Sequence, residues 1–111
     1  MTLAIDLVTV EAGHRLYVRA SFGRHRLADA RVKPLPCPCC TLPIGYVVRL
    51  KARTAHARLL RRAVRALVGE LSDQFNVIAW EAETEPIQDT LRECGFRAVA
   101  RAGAAVAFGR E

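Results

Sequence analysis

"IGYVVRL" (44–50), "KARTAHARLLRRAVRALVGEL" (51–71) and "NVIAWEAE" (76–83) follow one another almost without a break, and the reading of this stretch decides the fold. The first piece is short and mostly apolar, as suits a strand in the middle of a sheet. In the second, Leu60, Val64, Leu67 and Leu71 recur at helical spacing, which predicts a long helix with Thr54 as its N-cap and Ser72-Asp73 as its end. The third reads as another strand. A strand, a helix of this length and a second strand imply a parallel pair joined by a right-handed crossover.

Working outward, residues 85–95, "EPIQDTLRECG", predict a short helix, with Pro86 in its first turn and Gly95 as its stop. "FRAVAR" and "AAVAFGR" close the chain as two strands around Ala102-Gly103. Towards the other end, residues 3–10 and 15–22 alternate imperfectly and are joined by "EAGH", whose Gly13 favours a hairpin. Residues 23–43 carry four prolines near their end and read as a long loop, with a short strand near Ala30–Val32. The expected fold class is α/β: a mixed antiparallel and parallel sheet with one long and one short helix.

The chain has 111 residues, which suits one domain with a modest core. No apolar run approaches the ~20 residues needed to cross a bilayer, and Asp6 interrupts the first apolar stretch, so no secretory signal is read there. A cytoplasmic protein without a membrane partner is expected.

The net charge of +6 is unevenly placed. From Arg49 to Arg65 there are seven Lys and Arg residues and no acid, whereas residues 70–93 hold seven acids against Arg92 alone. Such asymmetry points to an anionic partner on one side. Within the helix, Arg58, Arg61, Arg62 and Arg65 fall on the face opposite the leucines and read as a solvated stripe. Few aromatic residues are present to stack on bases, so nucleic acid is a disfavoured partner.

In their order and spacing, "IGYVVRL", "KARTAHARLL", "NVIAWEAE" and "LRECGF" resemble the GNAT acetyltransferase superfamily over roughly residues 44–110. The resemblance implies that residues 44–111 form an acyl-CoA-binding core, preceded in the same domain by the hairpin and Cys-Pro loop of 1–43. It further implies that the sheet splays between 44–50 and 76–83, with acetyl-CoA in the gap. The cofactor would then meet Val48 and Leu50 on the strand and Lys51, Ala52, Arg53, Thr54, Ala55, His56 and Ala57 at the helix start. Backbone N–H groups and the positive helix end would receive the pyrophosphate. The implied partners are an acyl-CoA and an amine-bearing acceptor, and a homo-oligomer is left open.

Glu81 and Glu83 alternate along the later strand, and a carboxylate there suits deprotonation of an amine. Where the family frequently has a tyrosine acid, this chain has Leu91. Cys37, Cys39 and Cys40 in "PCPCC" form a single crowded cluster rather than two separated knuckles, so no metal is expected. Trp80, Phe96 and Cys94 read as packing residues. Two other functions fit the same features: a GNAT-like binding module without catalysis, and a small basic nucleic-acid-binding protein.

Overall fold

The computed structural model describes residues 4–13, 15–35 and 45–109. Seven strands and two helices follow in the order β1 (Asp6–Ala12), β2 (Arg15–Phe22), β3 (His25–Leu35), β4 (Gly45–Ala52), α1 (Ala57–Gln74), β5 (Val77–Ala82), α2 (Glu85–Glu93), β6 (Arg97–Ala102) and β7 (Ala105–Gly109). They make one sheet in the order β1-β2-β3-β4-β5-β7-β6. β4 and β5 run parallel and every other neighbouring pair is antiparallel. The mixed α/β architecture and the crossover through the long helix are those the sequence predicts.

The expected loop at 23–43 is corrected, although the short strand expected near Ala30–Val32 lies within what forms there. Residues 25–35 form an eleven-residue strand, β3, which is central rather than peripheral. Among the described residues its pairing with β2 ends at Leu16 and Val32, and Pro34 has a neighbour on the β4 side alone, Tyr46. A missing N–H is tolerated where one flank is open. Gly23, at φ +60°, supplies the left-handed turn between β2 and β3. Cys37, Cys39 and Cys40 lie outside the described residues, and so does the expectation about metal at them.

Both helices lie on one face of the sheet. Alternate strand residues, among them Val18, Ala20, Ala28, Ala30, Val32, Val48, Leu50, Trp80, Ala82, Val106 and Phe108, are buried on that face. They join Leu60, Ala63, Val64, Leu67, Val68 and Leu71 of α1 and Ile87 and Leu91 of α2 in a single core. Trp80 and Phe96 are core residues, their ring centroids 5.7 Å apart. Cys94 packs against the core from the end of α2, as expected.

The stop of α2 follows the sequence reading. Gly95 takes φ +95°, and the N–H of Phe96 reaches back to the carbonyl of Leu91 at 3.1 Å, so buried Phe96 is drawn in immediately after the turn. α1 differs at both ends. It begins at Ala57 with His56 as its N-cap, and it continues past Ser72-Asp73 to Gln74, where Phe75 caps the carbonyl of Leu71. Leu71 is fully buried and anchors that last turn.

Candidate acyl-donor and acceptor site

The parallel pair β4 and β5 shifts register once, between Tyr46 and Val47, and then stays paired as far as Leu50 and Ala82. Beyond that point Lys51 and Ala52 continue on β3 alone, opposite Asp29 and Ala28, while the chain after Ala82 turns away into α2. The expected splay along the strands is thus replaced by an opening beyond Leu50 and Ala82, where the pairing ends. The carbonyl of Ala82 is already engaged by Nε2 of Gln88, at 3.1 Å. Arg53 donates its N–H to Leu27 O on β3 at 2.9 Å. Because successive residues of a strand turn their backbone groups to opposite sides, Ala52 turns its N–H and C=O towards the opening.

After β4 the chain makes a short, self-bonded turn. The N–H of His56 donates to Oγ1 of Thr54 at 3.1 Å. Nδ1 of His56 accepts the N–H of Leu59 at 3.3 Å, and its carbonyl accepts that of Leu60 at 3.0 Å. Thr54 thus supports the cap rather than forming it. Among the described residues, the N–H groups of Ala57 and Arg58 have no acceptor, and no acid stands in the first turn. These are the orphan donors of a helix start, at the positive end of an 18-residue dipole.

The candidate cofactor residues divide between places. Val48 and Leu50 are buried in β4 and paired across to Trp80 and Ala82. Lys51 and Arg53 point into a cleft of about 380 Å³ on the uncovered sheet face, lined also by Tyr17, Asp29, Arg31, Arg49, Glu83 and Thr84. Arg53 is held there by Asp29, its Nε 2.6 Å from Oδ2, with Arg19 on the carboxylate's other side at 3.7 Å. A second concavity of about 550 Å³ lies at the helix start, lined by His56, Arg58, Leu59, Arg61 and Arg62. Ala55 and Ala57 are exposed between the two.

The arginine stripe is not uniformly solvated. Glu93 of α2 accepts hydrogen bonds from Nε of Arg61 at 2.7 Å and from Arg65 at 3.1 Å, clasping the two helices together. These bonds, that to Arg61 foremost, hold the Glu93 carboxyl below the usual carboxylate range, and they raise Arg61 further in turn. Arg58 and Arg62 have no ion-pair partner among the described residues and face the helix-start concavity.

Glu81 and Glu83 lie on the uncovered face. Glu81 is half-buried opposite Arg49, and exposed Glu83 pairs with Arg49 at 3.4 Å. Leu91, which the resemblance sets where a tyrosine acid would stand, is fully buried and has no proton to donate. Tyr17, Asp29, Arg31 and Arg49 escaped the sequence reading as site residues. A signal for them existed: Asp29, Arg31 and Lys33, like Arg49, Lys51 and Arg53, are charged at every second position, the period of one strand face.

No family model matches the chain, and no curated protein does. Solved structures do. An aminoglycoside N(6')acetyltransferase from Legionella pneumophila subsp. pneumophila str. Philadelphia 1 superposes with a TM-score of 0.57 at 10% identity, covering 86% of this chain and 62% of that one. A protein designated an acetyltransferase from Sphaerobacter thermophilus DSM 20745 gives 0.48 at 14% identity, covering 86% and 65%. The chain thus spans less than two thirds of the length of either neighbour. No described helix is long and apolar enough to cross a membrane. What the crossover and the superposition establish together is a GNAT-like fold.

Proposed function

We propose that the chain binds acetyl-CoA and transfers the acetyl group to an amine. The observation that carries the reading is the continuity of three donor sets: the outward-turned backbone of Ala52, the orphan N–H groups of Ala57 and Arg58, and the cations of the helix-start concavity. Ala52 would pair with an amide of the pantetheine arm as an added strand does. Ala57 and Arg58 would receive the pyrophosphate through N–H groups, with Arg58, Arg62 and His56 adding side-chain contacts. Lys51, Arg53, Thr54 and Ala55 would shape the turn between these places, with Val48 and Leu50 fixing the strand beneath it.

When bound, acetyl-CoA would supply an acetyl thioester, whose acetyl carbon bonds to the amine nitrogen as the carbon–sulfur bond breaks and the sulfur leaves as thiolate, to take up a proton. Glu81 and Glu83 are the carboxylates placed to receive the amine's proton, directly or through water. Buried Leu91 favours a second reading, in which the cofactor binds and no transfer follows.

The test is a thermal-shift titration with acetyl-CoA. A ligand bound only to the native state adds RT ln(1 + [L]/Kd), about 2.7 kcal/mol at a hundredfold excess, so the melting temperature should rise by several degrees. Ala57→Pro removes one orphan N–H at the first helical position, where proline is well accommodated, and His56 already has the extended backbone that a following proline requires. That variant should fold and lose most of the shift. An unchanged shift would take the pyrophosphate away from the helix start. Acetylation of amines by the wild-type chain separates the first reading from the second.

A further inference from the structure

The uncovered sheet face carries a charge order that the acetyl donor does not use. Tyr17, Arg31, Arg49 and Glu81 stand opposite one another on four neighbouring strands, β2, β3, β4 and β5. At ~4.8 Å per strand the row is roughly 14 Å long. Beside it Asp29 stands opposite Lys51. Arg53 is taken by Asp29 and Arg49 leans to Glu83, whereas Arg31 and Lys51 have no ion-pair partner among the described residues. Arg31 and Arg49 are direct cross-strand neighbours of like charge, an arrangement that opposes folding unless something anionic lies between them. The Tyr17 hydroxyl beside them is likewise without a hydrogen-bond partner among the described residues. The cleft they line, about 380 Å³, is of a size that holds a small metabolite. Arg31 enters it from β3 and Arg49 and Lys51 from β4, Asp29 of β3 is taken up by Arg53, and the Glu83 carboxylate lies across from them just past β5, with Glu81 two residues before it on the same face.

We infer that the acceptor is a small amine that also carries an anionic group, a carboxylate or a phosphate, which Arg31 and Lys51 bind while Glu81 and Glu83 face the amine. The inference rests on the acetyltransferase reading for the word acceptor, but the zwitterion site stands on the geometry of the face. Arg31 offers a planar fork of donors suited to two oxygens, and Lys51 a point charge from the next strand. Arg49 sits between the two ends, shared by the ligand's anion and Glu83. A polycationic amine would bring its charges against Arg31 and Lys51 and is excluded by the same order.

The chain labelled with 15N is titrated, without acetyl-CoA and at low salt, with phosphoethanolamine, β-alanine and spermidine, following the amide resonances of residues 29–33 and 49–53. The expected result is saturable shifts with phosphoethanolamine, β-alanine or both, and none with spermidine; the pattern of response tells phosphate from carboxylate. Arg31→Gln should weaken the binding about tenfold or more, the effect of losing a charged hydrogen-bond pair. Arg24→Gln, in the β2–β3 turn, should leave it unchanged, and the melting temperature of each variant checks its folding. Acetyl-CoA is titrated separately. If the zwitterions bind through Arg31 and acetyl-CoA does not bind, the site stands and the acetyltransferase reading falls. If acetyl-CoA binds and neither zwitterion does, the site is overturned. It is overturned equally if spermidine binds, if Arg24→Gln matches Arg31→Gln, or if only an oligonucleotide is held through Arg31.

Discussion

The two faces of the same sheet are built from alternate residues of the same strands, yet they obey different rules. On β4, Val48 and Leu50 are buried beneath the helices, while Arg49 and Lys51, which alternate with them, are exposed. On β3, Ala28, Ala30 and Val32 alternate with Asp29, Arg31 and Lys33 in the same way. The covered face is fixed by packing: a one-residue slip would carry every apolar side chain into water. The uncovered face has no such constraint, so its residue types report what it meets. The proposed acceptor site rests on this contrast: Arg31, Arg49 and Lys51 stand on β3 and β4, with Glu81 and Glu83 across from them.

The sharpest way to break this contrast is to truncate one residue on each face. Trp80→Ala removes a side chain only 1% exposed from the centre of the core, and should cost about 3–5 kcal/mol. For a chain of this length that is a large part of the total stability, so a much earlier unfolding midpoint in urea is expected. Val8→Ser, on the uncovered side of β1 and 50% exposed, should stay within about 0.5 kcal/mol. Comparable losses would mean that something covers both faces.

A smaller effect separates stability from function at the helix start. His56 caps α1 through Nδ1, and an aspartate there would cap at least as well and add a negative charge at the positive helix end. His56→Asp should therefore raise stability by about 0.3–1 kcal/mol. The same charge would repel a pyrophosphate, so the acetyl-CoA thermal shift should fall. Stability and ligand shift moving in the same direction would count against a phosphate at the helix start.

Features that depend on near neighbours in the chain were legible. The crossover follows from the apolar spacing of Leu60, Val64, Leu67 and Leu71 between two apolar strands, and Gly95-Phe96 announces its own stop and anchor. β3 was misread because Pro34 and the prolines after it weigh as breakers in the sequence, whereas the fold places Pro34 opposite Tyr46 of β4 with, among the described residues, no partner on its other flank. With 23–43 taken as a long loop holding only a short strand near Ala30–Val32, Arg31 has no assigned neighbouring strand, and its place opposite Arg49 cannot be seen. The pairing of Arg61 and Arg65 with Glu93 was hidden for a related reason. It requires two helices to lie side by side on one face, which no local spacing states.

That clasp gives the smallest and most specific expectation, and it lies on the helix side, away from the cationic face. The Glu93 carboxyl is held below the usual carboxylate range by its hydrogen bond to Arg61, then by that to Arg65. In the unfolded chain neither partner is near, and the group titrates near the ordinary value of about 4.3. A carboxyl lowered in the folded state contributes stability that is fully present above its unfolded value and is lost as pH falls through the folded one. Melting curves of the wild-type chain and Glu93→Gln should therefore be separated by a small, constant interval at neutral pH. Below about pH 4.3 the interval should close as the wild-type carboxylate takes up its proton. Salt should narrow it at neutral pH as well, because the side chain is 35% exposed and its arginine partners more so. An interval that persists unchanged in strong acid would mean that Glu93 acts through packing between α1 and α2, and that the pairing with Arg61 and Arg65 contributes nothing to holding the helices on their face.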